Sequence, residues 1–272
     1  MAIEPINFVV FLMGPTASGK TELAIEISKH INSKLISVDS ALIYRGMDIG
    51  TAKPSKEILT AYPHELVDIC EPEDSFSVTE FISLAKEHIK SALAEGKLPI
   101  LVGGTSFYFN ALEHGLSELP SSTDESRKHF NDLLKSEGSV KLHSKLTEID
   151  PKSAARIHSN DSQRVTRALE VFHLSGETLS KLQGKKNQNK LDLNIKKIVL
   201  MPDRAVLHQR IEQRFIKMIK DGFLNEVEIL RKNSKLNLDL ASMRSVGYRQ
   251  AWNYFEGNYS KQEMIEKAII AT

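Results

Sequence analysis

GPTASGKT, residues 14–21, decides how the rest of the chain is read. Its spacing is Gly14-x-x-x-x-Gly19-Lys20-Thr21, preceded by the apolar run FVVFLM (8–13) and followed by ELAIEISKHI (22–31). A strand, a glycine loop and a helix in that order are the setting a phosphate-binding loop requires. The glycines let the backbone curl so that N–H groups point inward, and the helix N-terminus adds partial positive charge. The candidate cradle is Gly14, Pro15, Thr16, Ala17, Ser18 and Gly19. Lys20 supplies a point charge for outer phosphate oxygens, and the Thr21 hydroxyl is placed to ligate magnesium. The alternative is a glycine turn that merely precedes a helix, and the flanking pattern argues against it. The loop reads as binding a di- or triphosphate.

Outward from the loop, two more strands are expected, KLISVDS (34–40) and LPILVGGT (98–105), with a helix over 78–96 between them. A fourth apolar run, IKKIVLM (195–201), precedes a long helical pattern over 204–222. Strands alternating with helices imply an α/β fold, a P-loop NTPase-like parallel sheet flanked by helices, with ligands at the carboxyl ends of the strands. Residues 119–190 differ. DESRKHFNDLLKSEG (124–138) and SQRVTRALEVFHLSG (162–176) have helical periodicity, and no strand stands out. The expected organisation is a core over 1–118 and 191–272, interrupted by an inserted helical domain over 119–190. The polar, lysine-rich stretch 181–192 reads as a mobile linker. At the other end, SKQEMIEKAIIAT (260–272) is a helical pattern with no stop signal, as in a chain cut short.

Net charge is +1 over 272 residues, so a nucleic-acid partner would need a local basic patch rather than overall basicity. Cys70 is the only cysteine, which excludes an internal disulfide and fits a reducing, cytoplasmic setting. The run at 8–13 is too short to cross a bilayer, and the nine histidines show no metal-ligand spacing. With no heptads and no obvious apolar edge strand, a monomer is expected.

Asp39 closes the second strand and has two readings: a carboxylate assisting the magnesium shell, or a general base toward an acceptor nucleophile. The polar loop DSALIYRGMDIGTAKP (39–54) that follows is either functional or a surface excursion. In GGTSFYFNAL (103–112) a Gly-Gly turn allows close backbone approach, Thr105 offers a hydroxyl, and Phe107 to Phe109 are aromatic walls or core. QRVTR (163–167) and RSVGYR (244–249) pair arginines with hydrogen-bonding partners and could meet an RNA backbone, with Tyr248 stacking on a base. A solvated helix face would look the same. Arg210 and Arg214 lie one helical turn apart and could clamp a phosphate.

GPTASGKT, SVDSALIYRGMDIGTAKP (37–54), PILVGGTSFYFNAL (99–112), RIHSNDSQRVTRALEVF (156–172) and SVGYRQAW (245–252) together resemble, in order and approximate spacing, the bacterial tRNA dimethylallyltransferases, also called tRNA isopentenyltransferases. The resemblance covers nearly the whole chain. It implies transfer of a dimethylallyl group from dimethylallyl diphosphate to N6 of the adenosine 3′ of the anticodon, in tRNAs reading U-initial codons. On that resemblance the loop from Gly14 to Thr21 would cradle the diphosphate and its Mg2+, with Arg214 contacting it. Asp39 would be the base toward N6 and Thr105 its companion. Asp39, Ser40, Ala41, Leu42, Thr105, Arg127, Gln163, Arg164, Val165, Thr166, Arg167, Arg244, Ser245, Val246, Gly247, Tyr248 and Arg249 would face the tRNA. Family members also continue past residue 272 with a basic, tRNA-contacting segment. Without the resemblance, a nucleotide or small-molecule kinase and an RNA-binding module with a vestigial loop stay open.

Overall fold

A computed structural model of the chain describes residues 6–184 and 190–272. Five parallel strands form one sheet: β1 (Phe8–Met13), β2 (Ser33–Val38), β3 (His64–Glu65), β4 (Leu98–Gly103) and β5 (Asn194–Val199). Their order is β3-β2-β4-β1-β5. Strand β1 reads FVVFLM because both its faces are covered, and its four central residues are buried. It pairs with β4 (Val10 with Ile100) and with β5 (Val9 with Ile195), and β2 pairs with β4 (Leu35 with Ile100). The two-residue β3 has no signal in the sequence.

The chain divides into two compact units, Met1–Glu113 with Leu191–Thr272, and His114–Lys190. The first unit holds the sheet and the helices α1 (Lys20–His30), α2 (Lys56–Ala61), α3 (Val78–Ala94) and α4 (Ser106–His114), the last ending at the boundary. The second holds α5 (Asp124–Glu137), α6 (Ser139–Ile149), α7 (Pro151–Ala154), α8 (Ser162–Ser175) and α9 (Leu179–Gln183) around a core of its own that includes Leu142, Leu146, Val165 and Val171. After β5 come α10 (Arg204–Lys220), α11 (Phe223–Arg231), α12 (Tyr248–Phe255) and α13 (Lys261–Ala271), again in the first unit. Of the stretch expected to be a linker, residues 185–189 lie outside the described residues.

Local chemistry sets the helix ends. A capping box starts α3, with Ser77 accepting from the Glu80 amide and Glu80 reaching back to the Ser77 amide. Asp161 caps α8, and left-handed Gly176 ends it.

Parallel strands deliver their carboxyl ends to one edge, so the loops after β1, β2, β4 and β5 share it. The loop after β2 is no surface excursion. Ile43, Tyr44 and Met47 are buried with Phe215, Phe223, Tyr248, Trp252 and Met264 in one apolar cluster. One expectation is corrected. Strand β5 lies at the sheet's edge and exposes Ile198 and Val199, so the premise that no strand edge is apolar does not hold.

At Gly103 an added Cβ would lie 2.0 Å from the Val38 carbonyl oxygen, because β2 and β4 approach closely where they deliver Asp39 and Thr105. Gly103→Ala should therefore destabilise the chain by about 1–3 kcal/mol, as overpacking against rigid backbone does. A urea midpoint equal to that of the unsubstituted protein would contradict it.

Candidate functional site

The loop after β1 has the backbone its sequence demands. Gly19 (φ 92) and Ala17 (φ 58) are left-handed, which turns amides toward the helix start. A Cβ on Gly14 would fall 2.5 Å from the Leu200 carbonyl oxygen, so the turn out of β1 tolerates glycine alone. The Lys20 ammonium folds back over the loop, donating to the Pro15 carbonyl (2.5 Å) and the Ser18 hydroxyl (3.3 Å). Thr21 is the second residue of α1.

Asp39 follows β2. Its Oδ1 accepts the Ala41 amide (2.8 Å) and the Leu42 amide (3.3 Å), which fixes the carboxylate and leaves Oδ2 for a further partner. Thr105 sits opposite: its hydroxyl accepts the Ser40 amide (3.1 Å), and its own amide donates to the Val38 carbonyl (3.2 Å). The ends of β2 and β4 are thus stitched together at the two candidate residues. Of the aromatics after Thr105, Tyr108 and Phe109 are core, and Phe107 is 60% exposed.

Arg214, on α10, donates to the Thr16 hydroxyl (3.2 Å) and the Thr51 carbonyl (3.3 Å). It bridges the phosphate loop to the loop after β2. Arg210 is exposed and takes no such position. A cleft of about 270 Å³ is lined by Thr16, Asp39 and Arg214 on its polar side and by Ile211, Phe215, Met218 and Val246 on its apolar side. Burial pushes the Lys20 ammonium below the usual lysine range; Asp39 opposes the shift and Arg214 adds to it. Burial likewise lowers Arg214, with Asp39 and Glu22 acting against it. Two partly desolvated cations, Arg214 in the cleft and Lys20 close enough to feel its charge, favour an anionic ligand.

The loop after β2 is held from within. Lys53 has only 3% of its side chain exposed and donates to the Tyr44 carbonyl (2.8 Å), Asp48 (2.6 Å) and Asp68 (2.5 Å). Thr51, Lys53 and the apolar wall of α10 were missed in the sequence. The wall had a signal, since Ile211, Arg214, Phe215 and Met218 stand at i, i+3, i+4 and i+7 on one helix face.

The candidate tRNA residues separate. Arg127, Gln163, Arg164, Arg244 and Arg249 are exposed, and Ser245 and Val246 line the cleft. Ser40 is exposed, and Ala41 and Leu42 turn on Asp39. Thr166 returns its hydroxyl to the Ser162 carbonyl (2.8 Å), and Gly247 is the left-handed residue (φ 92) before α12. Two expectations are corrected. Val165 is wholly buried in the helical unit's core, so its side chain cannot touch RNA. Tyr248 cannot stack on a base, because its ring is buried edge-on against Phe223 at 5.1 Å and its hydroxyl bonds Glu226. Arg167 is spent internally, on Glu170 (2.6 Å), the Ser122 hydroxyl (2.7 Å) and the Pro120 carbonyl (2.7 Å).

Comparison with known proteins places this geometry. Residues 42–272 match the family described as IPP transferase. The chain is 61% identical over its whole length to a tRNA dimethylallyltransferase of Ruthia magnifica, covering 89% of that protein. It is 50% identical to one of Methylococcus capsulatus, covering 88%. A solved tRNA isopentenylpyrophosphate transferase of Bacillus halodurans aligns with 98% of this chain and 83% of its own at 36% identity, with a TM-score of 0.69.

Two outcomes test the site. An anion bound at Lys20 raises the lysine's pKa above its depressed free-state value. Affinity for inorganic diphosphate should then be full below that free-state pKa and fall as pH rises through it, before an ordinary lysine would titrate, at about pH 10.4. Titrations repeated on Lys20→Arg, which keeps its charge, should lack this part of the fall. Arg167→Ala should remove the cation beside buried Glu170 and cost about 1–3 kcal/mol in the helical unit, because the arginine is part-exposed and the Ser122 and Ser126 hydroxyls still donate to the carboxylate. Unchanged hydrogen-exchange protection of α5 and α8 would refute that.

Proposed function

The chain belongs to the IPP transferase family and is a tRNA-modifying prenyltransferase; we propose that it transfers a dimethylallyl group from dimethylallyl diphosphate to N6 of the adenosine 3′ of the anticodon, in tRNAs reading U-initial codons. The observation that carries this reading is a cleft with a guanidinium beside the Lys20 loop, a fixed carboxylate and an apolar wall. An isoprenoid diphosphate needs the first and third together. An amine nucleophile needs the second.

The donor's diphosphate lies in the loop from Gly14 to Thr21, against Lys20 and Arg214, and its hydrocarbon tail against Ile211, Phe215 and Met218. The adenosine leaves the anticodon-loop stack to enter the cleft, as bases do for enzymes that modify them. Its exocyclic nitrogen is conjugated to the purine and poorly nucleophilic, so orientation and proton removal both count. Thr105 keeps the ends of β2 and β4 together, and Asp39 takes the N6 proton as the N6–C1 bond forms. The C1–O bond breaks and its electron pair departs on the diphosphate, where Lys20, Arg214 and the loop amides meet the charge. Exposed Arg127 and Arg164 on the helical unit, and Arg244 and Arg249 on the core, suit contacts with the RNA backbone.

Magnesium fits the donor set. Thr21 offers one hydroxyl at the start of α1, and among the described residues no cluster of three His, Cys, Asp or Glu competes for a different metal. That sparse set is what Mg2+ uses when substrate phosphates and water complete its shell. Bound there, magnesium would neutralise charge on the departing diphosphate. No helix among the described residues is long and apolar enough to cross a membrane.

The deciding experiment supplies magnesium, labelled dimethylallyl diphosphate and an unmodified anticodon stem-loop, with labelled ATP in a parallel tube. Label should pass from the isoprenoid to the RNA and none from ATP; the reverse would make this a kinase. Asp39→Asn should bind donor nearly as before and turn over about 10²–10⁴ times more slowly. Lost donor affinity would instead make Asp39 a metal-shell ligand.

A further inference from the structure

Glu226 lies in the first turn of α11, outside the phosphate loop and outside every motif read in the sequence. Its Oε2 accepts the amides of Asp48 (2.9 Å) and Ile49 (2.7 Å). Its Oε1 accepts the amide of Gly50 (3.1 Å) and the hydroxyl of Tyr248 (2.5 Å). Four donors saturate a carboxylate, which has about four lone-pair positions. Three consecutive N–H groups converging on one point form an anion nest, and here the anion is a side chain of the protein itself.

The segment so held cannot drift. A Cβ on Gly50 would fall 2.2 Å from the Phe223 ring and 2.6 Å from the Tyr248 ring, so both rings already press on that backbone. The next residue is Thr51, whose carbonyl accepts Arg214 Nη2, while Arg214 Nη1 reaches Thr16 in the phosphate loop. A continuous path thus runs from Glu226 through the amides of 48–50 to the Thr51 carbonyl, the Arg214 guanidinium and the loop. With its own acceptors filled, Glu226 has nothing left to offer a substrate. What it can set is where Arg214 points.

We propose that Glu226 is a positioning residue for the donor's diphosphate, acting through Thr51 and Arg214. The inference rests on the reading of the loop as a diphosphate site. It separates from a plain tertiary staple because a staple would alter stability without depending on Arg214.

The test uses the full chain, magnesium and inorganic diphosphate, titrated by calorimetry with melting curves alongside. Glu226→Gln keeps the shape and one acceptor oxygen but loses the charge. It should weaken diphosphate binding about tenfold, the effect of one charge-assisted hydrogen bond misplaced. Arg214→Ala should weaken it at least as much, and the double variant no further than Arg214→Ala alone. In the transfer assay, KM for the donor should rise in Glu226→Gln while KM for the stem-loop stays put. Tyr248→Phe, which removes one of the four bonds, should show a smaller loss that also vanishes without Arg214, and it serves if Glu226→Gln does not fold. Glu226→Gln binding diphosphate like the unsubstituted chain, or losses that add in the double variant, would overturn the proposal while leaving the function intact. An unsubstituted chain that binds no diphosphate would remove the donor reading and this inference together.

Discussion

Two positive charges stand near each other, both partly desolvated, and much of the structure serves to keep them there. Lys20 opens α1 and Arg214 comes from α10, nearly two hundred residues later. Burial weakens the hold of each on its proton, and the Arg214 charge weakens that of Lys20 further. Asp39 and Glu22 offset part of this. A fold that held these groups without such compensation would relax by turning a side chain into solvent. Here Lys20 is tethered to the Pro15 carbonyl and Arg214 to the Thr16 hydroxyl and the Thr51 carbonyl. Both cations are therefore held in place by the protein itself, the condition under which electrostatic stabilisation needs no reorganisation.

That preorganisation depends on the loop after β2, which has almost no regular secondary structure. Such a segment keeps its shape only if its backbone groups find partners. Lys53 collects a carbonyl and two carboxylates on one side, and Glu226 collects three amides on the other. Ile43, Tyr44 and Met47 turn inward and join the apolar cluster formed with α10 to α13. The helices after β5 are in this sense the loop's second half. They supply the carboxylate, the rings and the arginine that the loop needs to hold position.

The sheet was legible because β1 and β4 are apolar on both faces and its helices carry period-3.6 patterns; β1, β2, β4 and β5 fall within a residue or two of where their letters place them. The phosphate loop was legible because glycine spacing, lysine and threonine follow directly from the chemistry of phosphate. Asp39 and Thr105 could be named because they end strands. The rest depended on contacts across the chain. Nothing local distinguishes Glu226 from any exposed helix glutamate, since its amide partners lie 176–178 positions away and Tyr248 lies 22 away. The family resemblance turned all of QRVTR toward the tRNA, yet a helix spreads five consecutive residues around its axis. Val165 therefore points into the core, Arg164 faces outward and Arg167 closes an internal network. Tyr248 misled for a related reason. An aromatic beside arginines reads as a stacking platform, and only packing against Phe223 and Gly50 shows it as a wall.

The choice between Arg210 and Arg214 shows how far a pattern can go when it is read in three dimensions. Both sit on α10 one turn apart, and either could clamp a phosphate by charge alone. Arg214 shares its face with Ile211, Phe215 and Met218, so the packing that buries those three carries the guanidinium into the cleft. Arg210 lies off that stripe and stays in solvent. The same stripe bears on which chemistry the loop serves. A phosphate loop with cations is indifferent to whether a phosphoryl group moves or a diphosphate departs, since both need charge neutralised at the same oxygens. The wall facing those cations is made of isoleucine, phenylalanine and methionine, which satisfy no hydrogen bond of a sugar hydroxyl or a base edge and gain by covering hydrocarbon. Under the proposed function, the cationic side of the cleft would meet the leaving group and the apolar side what it leaves behind.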